Sequence, residues 1–472
     1  MQAWRDAAGL TLVATADFHV PYFAWIFDPL TRAVVRSRLR HVLRSLDAVV
    51  AAEEPPPAPT RPWWAPPADM TSDQITMIAT VSLLLAIVQY GASLFTQTVD
   101  FVATTYEVSN AQLGVVTSVA RVGTLVALVG SALADRHGRR RVILFSVALV
   151  CVASVGSAAA PTLALFALFQ VLARGGVNLA FVVGFIAAVE EAPEGARTYT
   201  LAVVGIASGV GFALGAMLLP IADLGSEAWR VLYVVAGLGL VFLSGASRRL
   251  TETRRYTELA QRDAPRGRVG EVVDRTYGGR FFLLAATGFL LNVFFAPTSQ
   301  FTNRYLAEER AFSGFGILVL RAVTQGVPVF LAAYAGGRVA ESSGRRPVAI
   351  WGTILGGVGM AVFFSLGGPG LWFALAVGTA AEALAGPALS AFSTELFPTE
   401  VRGTAGAGLL ITGVAGSVVG LLLVGFGAEP LGGVGRALAL TSIAPAVVAV
   451  VLLPRLPEAR GRALDDVSPP EV

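Results

Sequence analysis

The residues of this chain that can do chemistry are polar groups set inside long apolar runs. Glu382 falls near the middle of the run 371–394, Arg174 near the middle of 162–189, and Asn178 one helical turn beyond Arg174. Asn292 and Gln300 lie in the run 281–306, and Gln89 lies in 75–105, with Asn292 and Gln89 at about the depth of Glu382 and Arg174. Ionisable groups in hydrocarbon are costly and turn inward toward a bundle interior, which makes them candidates for function. A carboxyl there can take up and release a proton, and a mobile arginine can restore its ionised form in one conformation only. Glu382, Asp100 and Arg174 are therefore the proton-coupling candidates. Asp100 and Arg121 can also be read as a plain structural ion pair. Arg174, Arg121 and Arg321 together permit an anionic solute.

A second set of charges recurs. Leu133-Ala134-Asp135-Arg136-His137-Gly138-Arg139-Arg140-Arg141 returns 206 positions later as Val339-Ala340-Glu341-Ser342-Ser343-Gly344-Arg345-Arg346. Glu190-x-x-Pro193-x-x-x-Arg197 returns as Glu395-x-x-Pro398-x-x-x-Arg402, and Leu250-x-Glu252 as Leu456-x-Glu458. Three landmarks in the same order, at offsets of 206, 205 and 206, mark a duplicated unit. An acid at one helix end can accept hydrogen bonds from exposed amides and from a nearby guanidinium. Such contacts are worth about 1.5–3 kcal/mol each, comparable with the gap between two populated conformations. Asp135 with Arg139, Glu190 with Arg197, Glu341 with Arg345 and Glu395 with Arg402 are thus expected to form a conformational latch. The alternative is that they only satisfy helix ends and fix topology.

The elements that position these residues are membrane helices. The chain is 54% hydrophobic and 14% charged with 51 glycines in 472 residues, well below the roughly one-quarter charged content of soluble domains. A bilayer needs roughly 20 apolar residues per helical span, and twelve runs fit. They lie near 75–105, 112–134, 141–160, 162–189, 198–221, 229–247, 281–306, 313–337, 347–366, 371–394, 403–427 and 433–453, and are numbered spans 1 to 12. The fold class is an all-α polytopic membrane protein.

Net charge is +3 and carried by arginine, since the sequence has no lysine. The arginines gather at the ends of apolar runs, which fits topogenic charge and not nucleic-acid binding. Loops after spans 2, 4, 8 and 10, the segment 248–280 and the tail are arginine-rich, which puts both termini in the cytoplasm and spans 1 to 12 in the inner membrane. On that orientation Asp100, Arg121 and Arg321 fall in the outer halves of their spans. The single cysteine, Cys151, reads as a small core residue, and His19, His41 and His137 are scattered. No metal spacing, cofactor loop or nucleophile triad stands out, so neither an enzyme nor a nucleotide-driven pump is indicated.

Residues 1–70 form an N-terminal extension, with no clean signal-peptide core. Its segment 28–50 alternates Leu30, Val34, Leu39, Val42, Leu46 and Val49 with arginines, as an amphipathic helix does. That helix suits either an anionic leaflet or the inner face of the bundle. A proline-rich linker follows, carrying Trp63 and Trp64. A six-span half covers 71–247, a connector 248–280, a second half 281–454 and a tail 455–472.

Six spans, a basic connector and six more, with Leu-Ala-Asp-Arg-x-Gly-Arg-Arg after span 2, resemble the major facilitator superfamily from residue 75 to about 465. Gly386-Pro387, Glu395-Leu396-Phe397-Pro398-Thr399-Glu400-Val401-Arg402-Gly403 and Pro457-Glu458-Ala459-Arg460-Gly461 are similar to motifs of its sugar-porter and organic-ion branch. Ser390 stands where sugar porters have an aromatic, and span 7 lacks their Gln-Gln pair. The resemblance implies two pseudo-symmetric six-helix bundles, no cofactor, and a cavity lined by spans 1, 4, 7 and 10, hence by Gln89, Arg174, Asn178, Asn292, Gln300 and Glu382. It also implies that the repeated acid and arginine motifs form the cytoplasmic latch. The function expected is secondary active transport of a small polar or charged organic solute by alternating access, with proton symport. An efflux antiporter, and a transport-deficient receptor whose residues 1–60 engage a cytoplasmic partner, are the alternatives.

Overall fold

The computed structural model describes residues 2–6, 9–13, 28–51, 68–128, 137–193, 196–253, 278–396 and 399–456, together with residues 54, 57 and 134. The connector 254–277, the tail 457–472 and most of the linker 52–67 lie outside the described residues. At the N-terminus β1 (Gln2–Asp6) pairs antiparallel with β2 (Gly9–Val13), Gln2 opposite Val13 and Asp6 opposite Gly9. This hairpin lies in the extension, apart from the all-α membrane part, and was not foreseen in the sequence. Two five-residue strands are too short for a periodicity reading to separate from coil. The expected amphipathic helix is α1 (Asp28–Val50), with Arg36, Arg38, Arg40 and Arg44 exposed.

Among the described residues twelve helices are long and apolar enough to cross a membrane. Spans 1 to 6 are Ser72–Gln97, Asn110–Leu128, Arg139–Ala159, Leu163–Glu191, Tyr199–Leu224 and Trp229–Arg249. Spans 7 to 12 are Gly278–Glu309, Gly314–Ala340, Arg345–Ser365, Pro369–Ser390, Ala405–Gly427 and Val434–Arg455. Their starts follow from local chemistry. Thr71 with Gln74, and Ser109 with Gln112, form reciprocal capping boxes that satisfy amides at the heads of spans 1 and 2. The motif glycines Gly138 and Gly344 each turn the chain at positive φ, 92° and 100°, a conformation that costs other residues a Cβ clash. Span 1 is shorter than the run 75–105: it stops at Gln97, and Val99–Thr105 is a separate short helix.

The duplication governs the packing. Span 1 lies along span 5 and span 7 along span 11, while spans 3 and 9 pack on spans 4 and 10. A Cβ on Gly211 would run into the Ala86 carbonyl, and one on Gly416, 205 positions later, into that of Phe289. Each half closes one end with buried aromatics: Phe95, Phe166, Trp229 and Tyr233 in the first, Tyr305, Phe363 and Phe364 in the second.

Among the described residues, the hydrogen bonds that join the halves lie between mid-span and the end of the bundle that carries Asp100. Spans 2 and 11 touch backbone to backbone there, where a Cβ on Gly114 would meet the Leu421 carbonyl at 2.9 Å and the Gly425 Cα at 3.0 Å. Ser118 donates to the Val418 carbonyl across the same seam at 3.3 Å. The Gly314 and Phe315 amides donate to Asp223, tying the head of span 8 to the end of span 5. Arg304 of span 7 contacts Asp100 at 3.6 Å and donates to Asn110 Oδ1 at 2.6 Å.

Candidate functional site

Between the halves lies a cavity of three contiguous chambers, with volumes of about 350, 340 and 260 Å³. Arg121 of span 2 lines all three. Spans 2 and 4 approach closely at Gly123, where a Cβ would come within 3.2 Å of the Arg174 Cβ. That crossing brings Arg121 and Arg174 to the same two chambers, together with Asn178. Gln89 joins them from span 1, and Asn292 faces the chambers from span 7.

Glu382 lines the largest chamber with Arg321, Thr379 and Gln325. Its methylene sits over Gly356 of span 9, where a Cβ would approach the Glu382 Cγ to 2.7 Å. Among the described residues its Oε1 is buried with no hydrogen-bond partner. A buried carboxyl oxygen without a partner costs free energy unless it carries a proton or meets a ligand. Arg321 donates to Asn303 Oδ1 at 2.7 Å. Just beyond it, Pro328 lacks an N–H and crowds the carbonyl four residues back, and the helix widens into a π-turn over Ala322–Gly326.

Of the residues expected in the cavity, Gln89, Arg174, Asn178, Asn292 and Glu382 line it. Gln300 does not. It is 1% exposed, accepts from Thr96 Oγ1 and donates to the Phe95 carbonyl, so it ties span 7 to span 1. Asn178 donates to Thr124 Oγ1 and Asn292 accepts from Ser417 Oγ, which holds both amides against their own half. Arg321 lines the cavity as well, and so does Arg121, which the sequence reading set in the outer half of span 2. Arg121 lies eleven residues beyond the head of span 2, at mid-depth, and donates to Ser299 Oγ at 3.4 Å. The expected pairing of Asp100 with Arg121 is replaced by Asp100 with Arg304. Burial raises the Asp100 carboxyl above its ordinary range, and Arg304 opposes that shift.

Among the expected latch pairs, Glu190 has a different partner. Arg139 holds Glu190 with two forks, Nε to Oε2 at 3.3 Å and Nη2 to Oε1 at 3.2 Å, and Thr253 Oγ1 donates to the same carboxylate at 2.7 Å. Glu190 thus pairs with Arg139 and not with Arg197, whose side chain is exposed. Glu252 accepts the Arg139 amide at 2.8 Å and the Arg140 amide, capping span 3 where the helix dipole favours an anion. That role was missed, although the repeated Leu-x-Glu was the signal for it. These contacts join the first half to the start of the connector. In the second half, Arg346 donates to the Pro454 carbonyl, and Arg345 heads span 9. Asp135 and the side chains of Glu341, Glu395 and Arg402 lie outside the described residues.

Among the described residues no cluster of His, Cys, Asp and Glu could hold a metal ion. A family model described as Major Facilitator Superfamily matches residues 81–327. No curated protein sequence matches. The inward-open xylose transporter XylE from E. coli superposes with a TM-score of 0.69 at 16% identity, covering 84% of this chain and 99% of that one. A bacterial homologue of the human lysosomal transporter Spinster, inward-facing and unoccupied, gives 0.68 at 16% identity, covering 82% and 97%. The nucleoside transporter NupG, as a point mutant, gives 0.68 at 14% identity, covering 80% and 99%. At these identities the likeness is one of fold. With just over half of its length matched by the family model, and twelve spans in two related halves, the chain belongs to the major facilitator superfamily of membrane transporters.

Proposed function

We propose that this transporter is a proton-coupled symporter that carries a small polar or charged organic solute into the cell by alternating access. The observation that carries the reading is Glu382, a carboxyl with an unpartnered oxygen in a chamber lined by both halves. In an alternating-access cycle such a group meets each side of the membrane in turn and can change protonation with them. Xylose–proton symport in one solved structure of the same fold lends support.

The arginine placement supports a cytoplasmic location for both termini, with Asp100 on the outside. On that reading the halves are closed outside, the cavity belongs to an inward-facing state, and the clasp of Arg139 with Glu190 holds one half together while the inner side is parted. The domain division at 70, 247, 280 and 454 belongs to the same proposal, as does the membrane-surface or partner-binding role of the extension.

Glu382→Gln tests the central claim in proteoliposomes. Accumulation of solute against its gradient under an imposed proton gradient is expected to disappear, while solute-for-solute counterflow persists. Undiminished uphill accumulation by the variant would remove Glu382 from coupling.

A further inference from the structure

We propose that Arg121 and Arg174 form an oxyanion site, and that the solute carried is a small organic acid with an apolar carbon body. The inference deepens the transport reading and rests on it. Both guanidinium groups belong to the first half, from adjacent spans held close at Gly123. They bound the same two chambers, whose remaining described polar lining is neutral: Gln89, Thr96, Thr124, Asn178, Asn292, Ser299 and Ser417. Among the described residues neither of these chambers has a carboxylate in its wall, and Glu382 belongs to the other chamber. Among the described residues Arg174 makes no side-chain hydrogen bond or ion pair. Arg121 makes one long contact, to Ser299, and has no acid within ion-pair distance.

Two like charges facing one low-dielectric space, with no counter-charge in the wall, leave a site that is unfavourable empty and complementary to an anion. The planar forks match a carboxylate or a phosphate in bidentate fashion. One chamber also carries Phe181, Phe212, Val177 and Ala92, a surface for a carbon skeleton that inorganic phosphate would leave uncovered.

The test uses the purified full chain at fixed ionic strength. Thermal unfolding is followed with short mono- and dicarboxylates, benzoate, glycerol 3-phosphate, inorganic phosphate, neutral xylose and cationic choline as probes. An organic anion is expected to raise the midpoint where xylose and choline do not, with carboxylates and phosphate ester compared directly for the preferred head group. Arg121→Gln and Arg174→Gln are expected to weaken that anion roughly ten- to hundredfold, the loss of one or two charge-assisted hydrogen bonds. Arg174→Lys should keep part of the affinity, because it keeps the charge and loses the fork.

Without ligand, the two glutamine variants are expected to be as stable as the parent or more so, because no ion pair is broken. Destabilisation of Arg174→Gln that Arg174→Lys repairs, without an anion effect, would assign the arginines to structure and overturn the proposal. Failure of every anion to shift the midpoint would overturn it too. Proteoliposome flux separates the two claims. A neutral solute carried equally by parent and variants leaves a carrier without an anion site; anion binding that depends on the arginines, with no flux of the bound anion, leaves the site without a carrier.

Discussion

The two halves of this transporter share a scaffold and differ in what they present to the cavity. At the offset relating Glu190 to Glu395, Gly211 falls on Gly416 and Gly215 on Gly420, and all four sit where an added Cβ would strike the neighbouring helix. At the same offset Arg174 falls on Thr379 and Val177 on Glu382, and all four of these line the cavity. The first half offers guanidinium where the second offers hydroxyl, and the second offers carboxyl where the first offers a methyl-bearing side chain. Gly211, Gly416 and Gly420 face a neighbouring backbone carbonyl that leaves no room for a Cβ, and Gly215 faces the Ser93 side chain just as closely. Positions facing the lumen are under no such steric rule, and the two walls carry different charges there: Arg121 and Arg174 on the first, Glu382 with Arg321 on the second.

The sharpest way to break the comparison lies at the clasp. Replacing Arg139 by glutamine leaves Glu190 charged and nearly enclosed, both side chains being 9% exposed in the intact pair. A loss of about 3–5 kcal/mol is expected, read as a lowered thermal midpoint of the purified protein. Arg345→Gln, 206 positions on, measures whether the second half depends on its arginine equally. A much smaller loss there would confine the clasp to the first half.

Gly211→Val and Gly416→Val sharpen the shared part of the scaffold. Each forces spans 5 and 1, or 11 and 7, apart, at a cost of about 1–3 kcal/mol of overpacking that should be similar in both halves by thermal unfolding. Tolerance of either valine would show that the helix spacing is not set by those contacts.

The smallest effect concerns the seam. Asp100 is held with a raised carboxyl pKa by burial, against the pull of Arg304. A raised value in the folded protein means that the folded state binds the proton more tightly. The resulting stability is fully present below the ordinary carboxylate range and is lost as pH rises through the raised value. Asp100→Asn should therefore flatten the dependence of the thermal midpoint on pH across the acid range, by less than about 1 kcal/mol for this partly exposed pair. A variant whose pH profile matches the parent's would show that the titration lies elsewhere.

Much of this was legible before folding was considered. Apolar run lengths located the twelve spans, overrunning the end of span 1 by eight residues, because burial in hydrocarbon is a property of consecutive residues. Glu382, Arg174, Asn178, Asn292 and Gln89 were recognisable as lumen candidates because a polar group at mid-membrane has few other places to go. The N-terminal hairpin was not recognised, since ten residues of strand carry too little periodicity. Gln300 and Arg121 show where depth fails as a guide. Both are polar residues in apolar helices, yet one is consumed in bonds to Thr96 and Phe95 while the other stands at the junction of three chambers.

By itself, then, the sequence determined the number of spans, their duplication and the two glycine turns at Gly138 and Gly344, because hydropathy, repeat spacing and backbone sterics act along the chain. Only the tertiary structure decided that Asp100 answers Arg304, that Glu190 answers Arg139, and that Arg121 and Arg174 share a chamber. Those pairings depend on the rotation of each helix about its axis and on how closely glycine lets neighbours approach, quantities set by contacts between segments distant in the chain.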